Sequence, residues 1–323
     1  MEDFPVLPSV RAVVETARWV WFHPEAMEPA VERWGGGIER AGGWEEPFHY
    51  ADGTEETARW IFVLDVLNHC FWPDPGEPVW GVQLEGEFYS GYAGLAAALK
   101  KAYLKGFPIT DARYLARMPE EDLRAIFSGT GSIPLFEERL RNLREAGRLL
   151  LERWGGDVVR LIEAAEGSAC RLASLCAREF PSFRDQAELD GRTVYFWKRA
   201  QIFAADLAAA FRGKGLGAFR DLERLTAFAD YKLPQVLREL GVLEYAPELA
   251  GKVDRRELLA PGSREEVEIR ALTVWAVERL KEAFLEKTGR RVTASQVDHW
   301  LWSLGQQPPF RKRPYHRCRT IYY

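Results

Sequence analysis

Four polar residues interrupt a stretch that is otherwise apolar on every side. Val194-Tyr-Phe-Trp-Lys-Arg-Ala-Gln-Ile-Phe-Ala-Ala-Asp-Leu-Ala-Ala-Ala-Phe211 carries Lys198, Arg199, Gln201 and Asp206. A helix that is apolar all round is normally buried, and a buried polar group without a partner costs about 2–7 kcal/mol. These side chains therefore need partners or a ligand. Asp206 follows Lys198 by two turns, roughly 12 Å along a helix axis, too far to neutralise it directly. Another acid is required, and Asp230 is the best placed. It lies in Leu225-Thr-Ala-Phe-Ala-Asp-Tyr-Lys-Leu-Pro-Gln-Val-Leu237, with apolar flanks and a proline marking a helix boundary. A carboxylate in such a pocket is either half of a structural ion pair or a catalytic group, and the residues alone weigh towards the pair. Phe228, two residues earlier, is either core or a stacking platform for a flat ligand.

Two further clusters share this character. Trp60-Ile-Phe-Val-Leu-Asp-Val-Leu-Asn-His-Cys-Phe-Trp72 sets Asp65, Asn68 and His69 on one helical face by i, i+3, i+4 spacing. Thr293 to Leu304 sets Asp298 and His299 among Val297, Trp300, Leu301 and Trp302. Each cluster is an internal polar network or the wall of a site, and the 12 Trp, 11 Tyr and 18 Phe suit an aromatic pocket for a polar heterocycle. Other chemistries lack their signatures: there is no Gly-x-x-x-x-Gly-Lys-Ser/Thr, no Gly-x-Ser-x-Gly and no His-Glu-x-x-His. Gly213-Lys-Gly-Leu-Gly217 reads as a flexible turn, because Ala208 stands where the first glycine of a phosphate loop is needed. The cysteines, Cys70, Cys170, Cys176 and Cys318, include no Cys-x-x-Cys and no zinc spacing, so free thiols and no metal are expected.

The elements that must position these groups are mostly helical. The chain has 323 residues, 47% hydrophobic and 28% charged, enough to bury a sizeable core and unlike disordered or collagen-like chains. Periodicity predicts a helix capped by Ser9 with Val10, Val13, Val14, Ala17 and Trp21 on one face, a second stopped at Trp34-Gly35-Gly36-Gly37, and a long one from Glu55 to Phe71. Trp80 to Ser90 alternates as a short hairpin turning at Glu85-Gly86. Helices follow near 92–105, 119–127, 135–154, 158–179, 194–211, 222–228 and 234–240. Ser263-Arg-Glu-Glu266 and Thr293-Ala-Ser-Gln296 read as capping boxes opening helices to Lys287 and Leu304. The expected class is mainly α with a small β element, as one catalytic unit over 1–323 or as two lobes, 1–154 and 155–323.

Charge narrows the partners. Of 44 basic and 48 acidic residues, the five basic ones after Asp298 (Arg311, Lys312, Arg313, Arg317, Arg319) face no acid, which leaves −9 on residues 1–298. That tail is a solvated basic segment or, being aromatic-rich and ending in Ile321-Tyr322-Tyr323, an anion site for a phosphate. Direct nucleic-acid binding is not expected from so small a basic surplus. No apolar run reaches the roughly 18 residues of a membrane span, and Met-Glu-Asp-Phe-Pro does not open a secretory signal, so the expectation is a cytoplasmic protein.

Several of these segments together resemble the queuosine salvage protein family. The likeness rests on Lys198-Arg-Ala-Gln-Ile202, Phe228-Ala-Asp-Tyr-Lys-Leu-Pro-Gln235, Glu266-Val-Glu-Ile-Arg270, Tyr89-Ser-Gly-Tyr92 and His316-Arg-Cys-Arg-Thr-Ile-Tyr-Tyr323, in order over nearly the whole chain. The resemblance implies a helical fold akin to helix-hairpin-helix DNA glycosylases, no metal or other cofactor, and hydrolysis of the N-ribosidic bond of queuosine 5'-phosphate. It puts the catalytic aspartate at Asp230, with His49, Phe228, Asp298 and His299 contacting substrate. Lys198 joins Asp230 on the burial argument and on the lysine–aspartate logic of DNA glycosylases. Asp65 and Asn68 would support the pocket.

That chemistry suits these residue types, since a fixed carboxylate in a dry pocket stabilises a ribosyl oxocarbenium ion and orients or deprotonates the attacking water. One departure concerns recognition: relatives carry Tyr and Asp where this chain has His299 and Ser303, and queuine's cyclopentenediol arm bears a cationic amine that an acid would favour. For the 5'-phosphate, the sequence offers Arg199, Lys232 or the tail arginines. The alternatives are a non-catalytic queuine or nucleotide carrier and a glycosylase acting on nucleic acid.

Overall fold

The computed structural model describes residues 4–38 and 43–323. In chain order its helices are α1 (Val6–Val14), α2 (Met27–Trp34), α3 (Glu55–Leu67), α4 (Gly91–Leu104), α5 (Ala112–Ala116), α6 (Glu120–Ile126), α7 (Phe136–Arg153), α8 (Val158–Ala164), α9 (Ala169–Glu179), α10 (Lys198–Ala210), α11 (Lys232–Glu239), α12 (Pro247–Asp254), α13 (Arg264–Thr288), α14 (Ala294–Leu304) and α15 (Pro308–Arg311). The strands are β1 (Val20–Phe22), β2 (Gly81–Leu84), β3 (Glu87–Ser90), β4 (Gln186–Leu189), β5 (Arg192–Tyr195) and β6 (Leu243–Tyr245). They form antiparallel pairs β1–β6, β2–β3 and β4–β5, so the expected mainly α class holds.

Side-chain caps explain several helix starts. Thr54, Asp111, Asp157 and Ser168 each accept an amide hydrogen at the N-termini of α3, α5, α8 and α9. Thr293 and Gln296 form the full reciprocal box on α14. On α13 only half of the expected box forms: Ser263 accepts from the Glu266 amide, but the Glu266 carboxylate takes the Gly262 amide, at 3.1 Å, instead of the cap's own.

Other expectations give way to left-handed residues and to long-range pairing. Ser9 lies inside α1, its hydroxyl donating to the Val6 carbonyl at 2.8 Å, and Trp21 belongs to a strand. The 158–179 stretch breaks into α8 and α9 because Glu166 and Gly167 both take positive φ. The 194–211 stretch starts as strand and turns at Trp197, φ 49°, so the helix opens at Lys198. Only Leu222–Arg224 of the expected 222–228 helix is helical, as a 3-10 turn, and from Leu225, itself extended, to Phe228 the chain has no regular secondary structure. The β2–β3 hairpin turns at Glu85-Gly86 as expected. The β4–β5 hairpin was not expected, although Asp190-Gly191 (φ 49° and 72°) at its turn is a strong short hairpin signal.

α3 runs through the centre and is buried from Trp60 to Leu67 without a break. α10 packs on α3 and α9, while α13 packs on α1, α2 and α14. The C-terminal tail is exposed at Arg311 and Lys312 and packed into the protein at its end. Cys318 and Tyr323 are buried, the Tyr323 carbonyl accepts from the Cys70 amide at 2.9 Å, and its hydroxyl donates to Glu266 at 2.8 Å. Among the described residues, no helix is long and apolar enough to cross a membrane.

Candidate active site

A helix leaves its last four carbonyls without intrahelical donors, and its C-terminus attracts cations. At the buried end of α3 three basic side chains meet this need. Arg199 donates to the Asp65 carbonyl at 3.0 Å and to that of Val66; Lys198 Nζ donates to the Asn68 carbonyl at 3.0 Å. Arg139 takes the carbonyls of Leu67 and His69, and that of Cys70 at 2.8 Å. The expectation that Lys198 needs an acid in direct contact is thereby corrected: carbonyl dipoles share the task, and Lys198 and Asp230 form no direct ion pair. Arg199 is likewise occupied and fully buried, which removes it as a phosphate ligand.

The segment from Leu225 to Asp230 is pinned residue by residue. Gln201 accepts the Thr226 amide at 2.8 Å, Asp298 Oδ2 accepts the Phe228 amide at 2.7 Å, and Arg270 donates to the Ala229 carbonyl at 3.0 Å. Asp230 Oδ1 accepts from the amides of Lys232 at 2.7 Å and Leu233 at 3.0 Å, capping α11. Phe228 and Asp230 both line a cavity of about 400 Å³, while Ala227 and Ala229 are fully buried. Behind this segment Arg270 grips Asp185 through two bonds of 2.8 and 2.6 Å, sandwiched between Phe196 and Tyr323. Asp185 also accepts the Lys198 amide at 3.1 Å, so one buried pair sets both Lys198 and the Asp230 segment. Sequence reasoning missed this support. Arg270 inside an apolar helix was a visible signal; Asp185 was not.

Lys198, Asp230, Phe228, Asn68, His49, Asp298 and His299 all line the cavity. Burial raises the Asp230 carboxyl above its ordinary range, opposed first by Lys198 and then by the amides it caps. Among the described residues its Oδ2 has no hydrogen-bond partner. Burial and the neighbouring Asp230 hold the Asp298 carboxyl well above its ordinary value. His49 stacks flat on Trp44, centroids 3.9 Å apart, and bonds the Tyr92 hydroxyl at 2.9 Å. Burial pushes its imidazole down to about 4, and Nδ1 is left without a partner. His299 sits at the edge, beside Trp302, and is lowered by burial. Asp65 lies behind the wall, fully buried and raised to about 8. Ser303 is turned to an adjacent depression with Arg33, Trp34 and His299.

Of the basic candidates for an anion, Lys232 and Arg311 line the cavity. Arg317 and Arg319 stack over Trp72 instead, and Arg319 also pairs with Asp74. Sequence reasoning placed neither Tyr92 nor Asp206 in the site, and both line it. Among the described residues no group of three His, Cys, Asp or Glu side chains is arranged to hold a metal ion. The arrangement is an aromatic-walled cleft with a fixed carboxylate under a lysine's field. It is equipped to stabilise a cation that forms on a ligand and to take a proton from water.

The chain matches a family model described as queuosine salvage protein over residues 48–323. It is similar to a queuosine 5'-phosphate N-glycosylase/hydrolase of Sphaerobacter thermophilus, 48% identical over 98% of this chain and 97% of the relative. Proteins of the same name from Bos taurus (40% identical over 84% of this chain and 83% of theirs) and Mus musculus (36% over 98% and 97%) are also similar.

Proposed function

The chain belongs to the queuosine salvage protein family, and from that premise we propose that it hydrolyses the N-ribosidic bond of queuosine 5'-phosphate at this cavity, with Asp230 facing the reacting carbon. Queuine and ribose 5-phosphate are the products. The observation that carries the assignment is Asp230 itself, anchored at Oδ1 by two amides and open at Oδ2 inside an aromatic cleft.

As the C1'–N bond breaks, its electron pair leaves with the base and the ribosyl carbon becomes an oxocarbenium ion. Ionised Asp230 stabilises that charge, then accepts the proton of the water that adds to C1'. Lys198 favours the ionised form of Asp230 across the cavity. Phe228 stacks on the base, and Asp298, tied to the Phe228 amide, meets the edge of a ring in that plane. His49 adds its neutral imidazole to the wall beside the base, with His299 and Ser303 towards the rim and Asn68 and Asp65 supporting the wall. Lys232 and Arg311 receive the 5'-phosphate, which carries about −1.5 to −2 charges at neutral pH.

Three broader readings accompany this one. The lysine and aspartate at one cleft of a helical protein support kinship with helix-hairpin-helix DNA glycosylases. The ties from Arg199 to α3 and from Cys70 to Tyr323 support one catalytic unit over 1–323 rather than separate lobes. Four buried free cysteines support a reducing, cytoplasmic setting, and the acidic bulk speaks against direct nucleic-acid binding. The test is purified protein with queuosine 5'-phosphate and EDTA, followed by mass spectrometry for free queuine. Release of queuine is expected. Intact nucleotide that stays bound would replace the hydrolase with a carrier.

A further inference from the structure

Along one face of α10, Lys198, Ile202, Ala205, Asp206 and Ala209 all line the cavity, a spacing of four, seven, eight and eleven residues. Lys198 lies at the end near Asp230. Asp206 lies roughly 12 Å further along the axis, among alanines. Among the described residues it makes no hydrogen bond and no ion pair; its Oδ2 is buried without a partner, which leaves Oδ1 as the oxygen that faces the cavity. Behind it both carboxyl oxygens of Asp65 are also buried without partners. The charged and titratable groups that act on Asp206 are Asp65 and Lys198, and Asp206 in turn acts on Tyr92 and Asp298. Among the described residues no basic side chain forms an ion pair with it. A carboxyl kept in this state at a cavity wall lacks donors that a ligand can bring.

The other cavity carboxylates already have places. Asp230 is fixed as the cap of α11, and Asp298 is fixed by the amide of the residue that stacks on the base. Asp298 therefore meets a neutral ring edge, where a single carboxylate suffices. What remains on the substrate is the ammonium of the cyclopentenediol arm, a cation with two N–H donors. What remains on the protein is Asp206.

We propose that Asp206 is the specificity-determining acceptor for the cationic amine of the substrate's arm, an inference that rests on the reading of the cavity as the queuosine 5'-phosphate site. The ammonium supplies the donors that Asp206 lacks, and its charge favours the ionised form of a carboxyl that burial raises well above its ordinary range. Selection for the arm then comes from charge and hydrogen bonding rather than from pocket volume.

The test compares kcat/KM for queuosine 5'-phosphate with that for 7-deazaguanosine 5'-phosphate, which lacks the arm. In Asp206→Asn the preference for the armed substrate should fall at least tenfold. A preference within twofold of the wild-type value would overturn the proposal and return Asp206 to a structural or ring-edge role. Should the variant fold poorly, wild-type calorimetry in buffers of different ionisation enthalpy reads the same carboxyl. Binding of queuine should release more protons than binding of 7-deazaguanine, and equal release would overturn the proposal. Because this second arm measures binding alone, it stands even if the wild-type protein proves not to cleave the nucleotide, an outcome that would sink the hydrolase reading instead.

Discussion

Lys198 and Asp230 share one cavity without touching. The ammonium is held by the Asn68 carbonyl at 3.0 Å and the carboxylate by the Lys232 and Leu233 amides at 2.7 and 3.0 Å. Each is held by backbone groups rather than by the other. Separated in this way, the lysine biases the ionisation of the aspartate and leaves Oδ2 open for a reacting carbon or water.

Asp230→Asn removes the negative charge but keeps the shape of the α11 cap. Queuine release should fall at least about a hundredfold, the usual scale for losing a general base, with the thermal midpoint little changed. Near-normal turnover would reject Asp230 as the reacting carboxylate.

The pH profile carries the sign of the Asp230 shift. Burial raises its carboxyl, so the active ionised form is lost on acidification from a pH above the ordinary carboxylate range, and kcat should fall through an inflection there. Lys198→Met withdraws the charge that favours ionisation and should move this inflection to higher pH. A merely structural Lys198 would lower the thermal midpoint and leave the inflection in place.

Lys232→Met should raise KM for queuosine 5'-phosphate by roughly tenfold or more, because a hydrogen bond to a charged group contributes about 1.5–3 kcal/mol. KM for the unphosphorylated nucleoside should change less than twofold. Equal changes for both would remove Lys232 from the phosphate site. Deleting the tail is an unsuitable test, since Cys318 and Tyr323 belong to the core.

Asp65 links stability to pH. Its carboxyl, ordinarily near 3.8, is raised to about 8 chiefly by burial. The folded state thus holds the proton more tightly than the unfolded chain. That contribution is fully present below about pH 4 and is lost as pH rises through about 8. Over this window the denaturation midpoint of the wild type should decline more steeply than that of Asp65→Asn; parallel slopes would place the titration elsewhere.

Arg270→Met leaves Asp185 as a buried charge without its guanidinium. Breaking such a pair costs about 3–5 kcal/mol, and both anchors of the site, at the Lys198 amide and the Ala229 carbonyl, loosen with it. Denaturant unfolding should show the loss; a change under 1 kcal/mol would mean that packing alone holds Asp185.

The sequence by itself determined the helical class, the hairpin at Glu85-Gly86 and which polar residues demand an explanation, because periodicity and turn chemistry act over a few neighbouring residues. Lys198, Asp230, Phe228 and Asp298 were all found that way, as polar or aromatic exceptions in apolar surroundings. Tertiary structure alone decided their partners. Lys198 meets a carbonyl 130 positions away, Asp298 an amide 70 positions away and Arg270 a carboxylate 85 positions away, and no local pattern encodes pairings at such distances. The same long-range packing buried the end of the tail at His316, Cys318 and Tyr323, turned Ser303 away from the main cavity and brought Asp206 into it. Where a buried charge finds its counterpart depends on which helix ends and carbonyls the fold brings beside it.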